Sequence, residues 1–230
     1  MTTLKLDTMS SQGVILSCVP SVTRKPQAKR QERREQIERR LLDATERLMR
    51  YGASYTELSV DRLSTEAGMS RANFYIYFED KGDLLRRLAG QVFGDLAASA
   101  ERWWGVAWRH DPDDVRSAMT GIIASYRRHQ PVLVALNEMA GYDPQVAATY
   151  RELLTGISGR LTRVIEDGQA DGSIRRELPA ATTASALSWM VERACQQNLP
   201  NRPAEYDTEL ATVLTEISWS SLYLAPVAKS

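Results

Sequence analysis

The sequence predicts an all-α protein, a three-helix N-terminal unit followed by a larger helical bundle, about nine helices in all. Three observations carry this. Apolar residues recur at spacings of three and four through most of the chain, as they do on one face of a helix. Gly and Pro punctuate the intervals between those stretches. No stretch shows the period-two alternation of a half-buried strand, and there is no internal repeat or low-complexity block.

Residues 1–23 lack periodicity and are rich in Ser and Thr, so a disordered tail is expected. A basic run follows over residues 24–40, where Arg24, Lys25, Lys29, Arg30, Arg33, Arg34, Arg39 and Arg40 stand against Glu32, Glu35 and Glu38. It reads either as a solvated helix start or as an arm for phosphates. Ile37, Leu41, Ala44 and Leu48 then mark one face of a first helix, which Gly52 can end. Ser59 is a candidate N-cap for a short second helix through Leu63 to Ala67, and Ser70 for a third over residues 71–78. Asp80 can cap a long fourth helix bearing Leu84, Leu85, Leu88, Val92 and Leu96.

Further helices are expected over residues 113–129, after Pro131, and over 144–168, 179–198 and 204–224. The last carries Leu210, Leu214 and Ile217 as its inward stripe. The expected division is a disordered basic N-terminal arm over 1–31, a three-helix unit over 32–80 and a larger helical unit over 81–225.

Composition narrows the function classes. Of 230 residues, 43% are apolar and 25% charged, the balance of an ordinary globular chain. No run approaches the roughly 20 apolar residues of a membrane span. The early run from Val14 to Val19 is broken by Ser17 and is too short for a secretory signal, so a cytoplasmic protein without membrane contact is expected. Cys18 and Cys195 cannot make a disulfide framework or a zinc set, and neither metal nor cofactor is expected. His110 and His129 read as surface or helix-end residues with no nucleophile or metal spacing around them, so the chain is not expected to be an enzyme. The zero net charge divides unevenly: residues 1–90 carry 16 Lys+Arg against 12 Asp+Glu, residues 91–230 carry 13 against 17. A basic front on an acidic body suits a polyanionic partner.

The most specific segment is residues 59–81, SVDRLSTEAGMSRANFYIYFEDK. Leu63 and Phe74 supply the shared core of two short crossing helices, and Ser64 is small enough for their close approach. Gly68 suits the tight turn because a positive φ costs it little. With Phe74 and Phe78 inward, Arg71, Ala72 and Tyr75 point outward and Asn73 lies at the margin. Arg can bind guanine, Asn adenine and Ala a thymine methyl in the major groove. Tyr75, Tyr77 and Lys81 can reach phosphate oxygens, although Tyr77 equally fits the core.

This pattern, Ala67-Gly68-Met69-Ser70 followed by Phe74-Tyr75-x-Tyr77-Phe78-x-x-Lys81 and Leu84-Leu85, resembles the signature of TetR-family repressors over roughly residues 37–88. Ser64 replaces a more usual alanine, and Gly82 stands where an acidic residue is common. The resemblance implies a helix-turn-helix domain plus a helical-bundle regulatory domain. It implies DNA contacts from Ser59, Ser70, Arg71, Ala72, Asn73, Tyr75, Tyr77 and Lys81. It also implies a homodimer through residues about 179–224 on palindromic double-stranded operator DNA.

The segment Ala186-Leu187-Ser188-Trp189-Met190-Val191-Glu192-Arg193 resembles EthR-like members, which bind apolar ligands in an aromatic-lined tunnel, with Val191 where those have Asn. All five tryptophans lie outside the DNA-binding unit. Trp103, Trp104, Trp108, Met119, Ile123, Tyr126, Met139, Trp189 and Met190 are candidates either to line a cavity or to fill a core. Glu192 with Arg193 fits an ion pair or a ligand contact. An apolar small-molecule effector that releases DNA is expected. The rival expectations are a DNA-binding protein without ligand control and a helical enzyme with an incidental helix-turn-helix.

Overall fold

The computed structural model describes residues 24–109 and 111–223. Eight α-helices run in order: α1 (Arg24–Arg50), α2 (Val60–Glu66), α3 (Arg71–Tyr77), α4 (Lys81–Trp104), α5 (Pro112–Ala140), α6 (Pro144–Asp171), α7 (Ala180–Asn198) and α8 (Tyr206–Leu222). Single 3-10 turns occupy Ala107–Arg109 and Leu199–Asn201. Among the described residues there is no strand.

Sequence explains most boundaries. Ser59, Ser70, Asp80, Asp111 and Asp143 each cap a helix by accepting a backbone N–H two or three residues on. Pro112 and Pro144 stand at first helical positions, where the missing N–H removes nothing. Gly172 ends α6 with φ of +87°. The small α1–α3 unit is built round Leu41, Leu63, Phe74 and Phe78, all buried. In the larger unit α4 packs on α5 and α6, α7 lies on α6, and α8 lies on α5.

The structure departs from expectation at four places. Helix α1 begins at Arg24, so residues 24–31 of the expected arm are helical, while 1–23 lie outside the described residues. Pro131 sits inside α5 instead of separating two helices, which leaves eight α-helices. The lost rung is offset because Ile123 and Tyr126 before it, and Val132, Leu133 and Leu136 after it, all bury against the core. Ile217 is 42% exposed; α8 turns Leu210, Leu214 and Ser218 inward instead. His129 is buried, with Nδ1 2.7 Å from Glu46 Oε1 on α1 and Nε2 3.1 Å from Asp95 Oδ2 on α4. Cys18 and His110 lie outside the described residues, and no helix among the described ones is long and apolar enough to cross a membrane.

Candidate nucleic-acid interface and core cavity

Helices α2 and α3 cross at a turn set by Gly68, whose φ is +65°. Its backbone N–H bonds the Thr65 carbonyl, and the Met69 N–H bonds that of Ser64. A side chain at Gly68 would be strained and would put Cβ 2.9 Å from Arg40 Nη2. That guanidinium, on α1, donates to the Ala67 and Gly68 carbonyls and so ties the first helix to the turn. Arg47 Nε adds a 2.8 Å bond to Glu66 at the end of α2. Ser64 is buried where the helices meet, and Met69 is half-buried beneath the turn.

With Phe74 and Phe78 packed inward, rings 5.1 Å apart, α3 presents Arg71, Ala72 and Tyr75 to solvent and leaves Asn73 half-buried. The Ser59 and Ser70 hydroxyls are engaged as caps, accepting from Arg62 N and Asn73 N at 3.1 Å each. Arg71 is held in place before any DNA arrives: Nη1 lies 3.1 Å from Asp61 and the guanidinium 5.7 Å over the Tyr75 ring. The Tyr75 hydroxyl and then Asp61 push its already high pKa further up. Ile76 on the same helix, not among the expected contacts, is 72% exposed and is an apolar group of the kind that can pack on a thymine methyl. Tyr77 is half-buried against the core.

Lys81 is engaged within the protein. Its ammonium has three N–H donors, and all three are used, by the carbonyls of Tyr55 (3.3 Å), Thr56 (2.9 Å) and Leu58 (2.7 Å). The fully buried Tyr55 returns the contact, donating its hydroxyl to the Lys81 carbonyl at 2.8 Å. The result is a clasp between the α1–α2 loop and the first residue of α4. Desolvation lowers the Lys81 pKa. Gly82 next to it is buried against Asp143, the α6 cap; a Cβ there would lie 2.9 Å from Asp143 Oδ2 and 3.1 Å from Asp80 Oδ1.

Helices α4 to α7 border a cavity of about 70 Å³. Helix α4 contributes Phe93, Leu96, Ala97, Ala100, Trp103 and Trp104; α5 adds Ile122 and Tyr126; α6 adds Leu154 and Ile157; α7 adds Ser188, Val191 and Glu192. Trp103, Trp104 and Tyr126 are therefore brought together. Five other expected lining residues are not. Met119 is buried elsewhere in the core, and Met139 packs near the far end of α5. Ile123 faces a separate groove between α5 and α8. On α7 the inward positions are 188, 191 and 192, which at 100° per residue turns Trp189 and Met190 aside. Trp189 is 38% exposed. The side chain of Trp108 lies outside the described residues.

Glu192 is the residue that apolar pattern reading undervalued. It is 2% exposed, and its Oε1 accepts the Tyr150 hydroxyl. Burial pushes its carboxyl above the usual range, against the opposing pull of Tyr150 and Arg193. A carboxyl raised in the folded state contributes a penalty that is full above the folded value and gone below the unfolded one. As pH falls through the carboxylate range, the stability difference between Glu192→Gln and the parent is expected to shift in the parent's favour. Thermal unfolding at neutral and mildly acidic pH reads this, and a shift the other way contradicts the assignment. Cys195, one turn on, is buried, which pushes its thiol up to about 12. Among the described residues no His, Cys, Asp or Glu cluster is placed to hold a metal ion.

Comparison with known proteins matches both units. The family model described as bacterial regulatory proteins, tetR family, covers residues 41–88, and that of the transcriptional regulator EthR, C-terminal domain, covers 115–224. The HTH-type transcriptional regulator EthR of Mycolicibacterium smegmatis is 26% identical over 210 residues, 88% of this chain and 94% of that protein. EthR of Mycobacterium tuberculosis is 27% identical over 175 residues, 73% of this chain and 78% of that one. Among solved structures, the fatty acid degradation regulator FadR from Bacillus halodurans superposes with a TM-score of 0.66 at 14% identity, over 80% of this chain and 94% of that one. FadR from Bacillus subtilis in complex with stearoyl-CoA gives 0.63 at 15%, over 80% and 98%. At these identities the structures support the fold alone.

Proposed function

Because the chain belongs to the TetR family of transcriptional regulators, with an EthR-like C-terminal domain, we propose that it binds a palindromic operator as a homodimer and releases it when a mostly apolar small molecule enters the core. The carrying observation is the exposed face of α3, where Arg71, Ala72 and Tyr75 stand on a braced helix-turn-helix. Residues about 32–80 form the DNA-binding unit in this reading. The exposed Arg30 and Arg33 fit backbone phosphates. Residues 81–225 form the regulatory unit, and the protein acts in the cytoplasm.

The dimer is assigned to α7 and α8, whose Trp189, Val213 and Ile217 leave apolar surface in solvent. Two-fold pairing there sets the two α3 helices in successive major grooves, roughly 34–36 Å apart. Effector control runs through α4, which lines the cavity along its second half and holds the Lys81 clasp at its start. A cavity of about 70 Å³ is far below the roughly 300–1,000 Å³ of small-molecule sites. Occupation therefore parts α4 from α6 and α7, and a packed core answers by changing arrangement, not by stretching.

Selection of bound sequences from random DNA tests the first half of this reading, and a palindromic consensus is the expected result. On that consensus Arg71→Ala is expected to weaken binding by roughly one to two orders of magnitude and to relax one base position in each half-site. Uniform weakening on operator and random DNA alike would make Arg71 a phosphate contact and not a reader.

A further inference from the structure

Three residues that line the cavity carry buried polar atoms with no hydrogen-bond partner among the described residues. Glu192 Oε2 makes no hydrogen bond, and neither do Ser188 Oγ and Trp104 Nε1, all on residues that line the cavity. The nearest cation to Oε2 is Arg193 Nε at 3.9 Å, too far for a hydrogen bond. That side chain is half-exposed, and its Nη1 is engaged by Gln196 at 2.6 Å. A buried carboxylate oxygen without a donor destabilises a fold, and its presence calls for an explanation. An apolar residue in its place would pack without that cost.

The surroundings restrict what a ligand can offer these atoms. Phe93, Trp104, Tyr126 and Ile157 form an aromatic and aliphatic wall, so the ligand body is apolar. Its head group must donate to Oε2. A ketone, ester or ether only accepts and leaves that oxygen as it was, and a carboxylate head meets like charge. An ammonium carries three donors and opposite charge, gains from the faces of Trp and Tyr rings, and can share one N–H with Ser188.

We propose that the cavity recognises a hydrophobic amine, its protonated nitrogen seated between Glu192 Oε2 and Ser188 Oγ and its apolar body lying along the wall formed by Phe93, Trp104 and Ile157. The proposal rests on the cavity being the effector site.

Calorimetric titration of the full chain at neutral pH with phenylbutylamine, phenylbutanol, phenylbutyrate and butylbenzene, four compounds sharing one body, tests it. The amine is expected to bind about tenfold or more tightly than the alcohol, with the acid weakest. Glu192→Gln is expected to abolish the preference for amine over alcohol while alcohol binding persists. Ser188→Ala, a milder change, reduces the preference without removing it. Ile157→Trp, which fills the cavity, weakens all the compounds that bind. Equal binding of amine and alcohol, or a preference that survives in Glu192→Gln, overturns the amine assignment and leaves the cavity as a ligand site. Absence of binding by all four compounds overturns the effector site itself, and the amine assignment with it.

Discussion

Replacing His129 with alanine is expected to lower the free energy of unfolding by about 3 kcal/mol, the upper range for leaving a buried hydrogen-bonding group without its partner. His129 is 5% exposed and Glu46 7%, and their 2.7 Å contact joins α5 of the larger unit to α1 of the small unit. The second ring nitrogen reaches Asp95 on α4, but that carboxylate is 56% exposed and loses little when left to water. The effect is therefore concentrated on Glu46. Without the imidazole it keeps only Arg50, at 3.4 Å and itself more than half exposed. Urea denaturation measures the loss. Combining His129→Ala with Glu46→Gln is expected to cost clearly less than the sum of the single changes, because both act on one hydrogen bond. A loss below about 1 kcal/mol, or strict additivity, would mean the two units are joined elsewhere.

Much of the small unit was legible because local chemistry and tertiary structure agree there. Ser59, Ser70 and Asp80 cap helices, Gly68 makes the turn, and Leu63, Phe74 and Phe78 fill the core, each for a reason visible within a few residues. The Lys81 clasp was not legible, since Tyr55 lies in a loop with no periodicity and donates across 26 positions. Nor was the pairing of His129 with Glu46, 83 positions apart, because a histidine on a helix carries no mark of what faces it. The cavity failed in part for a related reason. Large aromatic and Met side chains signal burial but not which void they border, so Met119 and Trp189 looked as suitable as Trp103. The small Ala97, Ala100 and Ser188, whose shortness leaves the space, carried no such signal. Pro131 misled because proline's local cost was weighed without the burial on both sides of it.

Lys81→Met is the substitution that separates positioning of the recognition unit from contact with DNA. Methionine keeps most of the stem's packing and deletes the ammonium, leaving the carbonyls of Tyr55, Thr56 and Leu58 without their shared donor. Hydrogen bonds from a charged donor contribute about 1.5–3 kcal/mol each at most, and carbonyls near the surface recover part of that from water. A total loss of about 2–4 kcal/mol is expected in chemical denaturation. The clasp fixes the α1–α2 loop to the start of α4, so its loss also loosens that join. The salt dependence of binding is the deciding measurement, since each phosphate contact adds nearly one unit to its slope. If Lys81 is a clasp, stability falls and the slope of the folded variant stays that of the parent. A slope reduced by about one with stability intact would instead return Lys81 to the phosphate backbone.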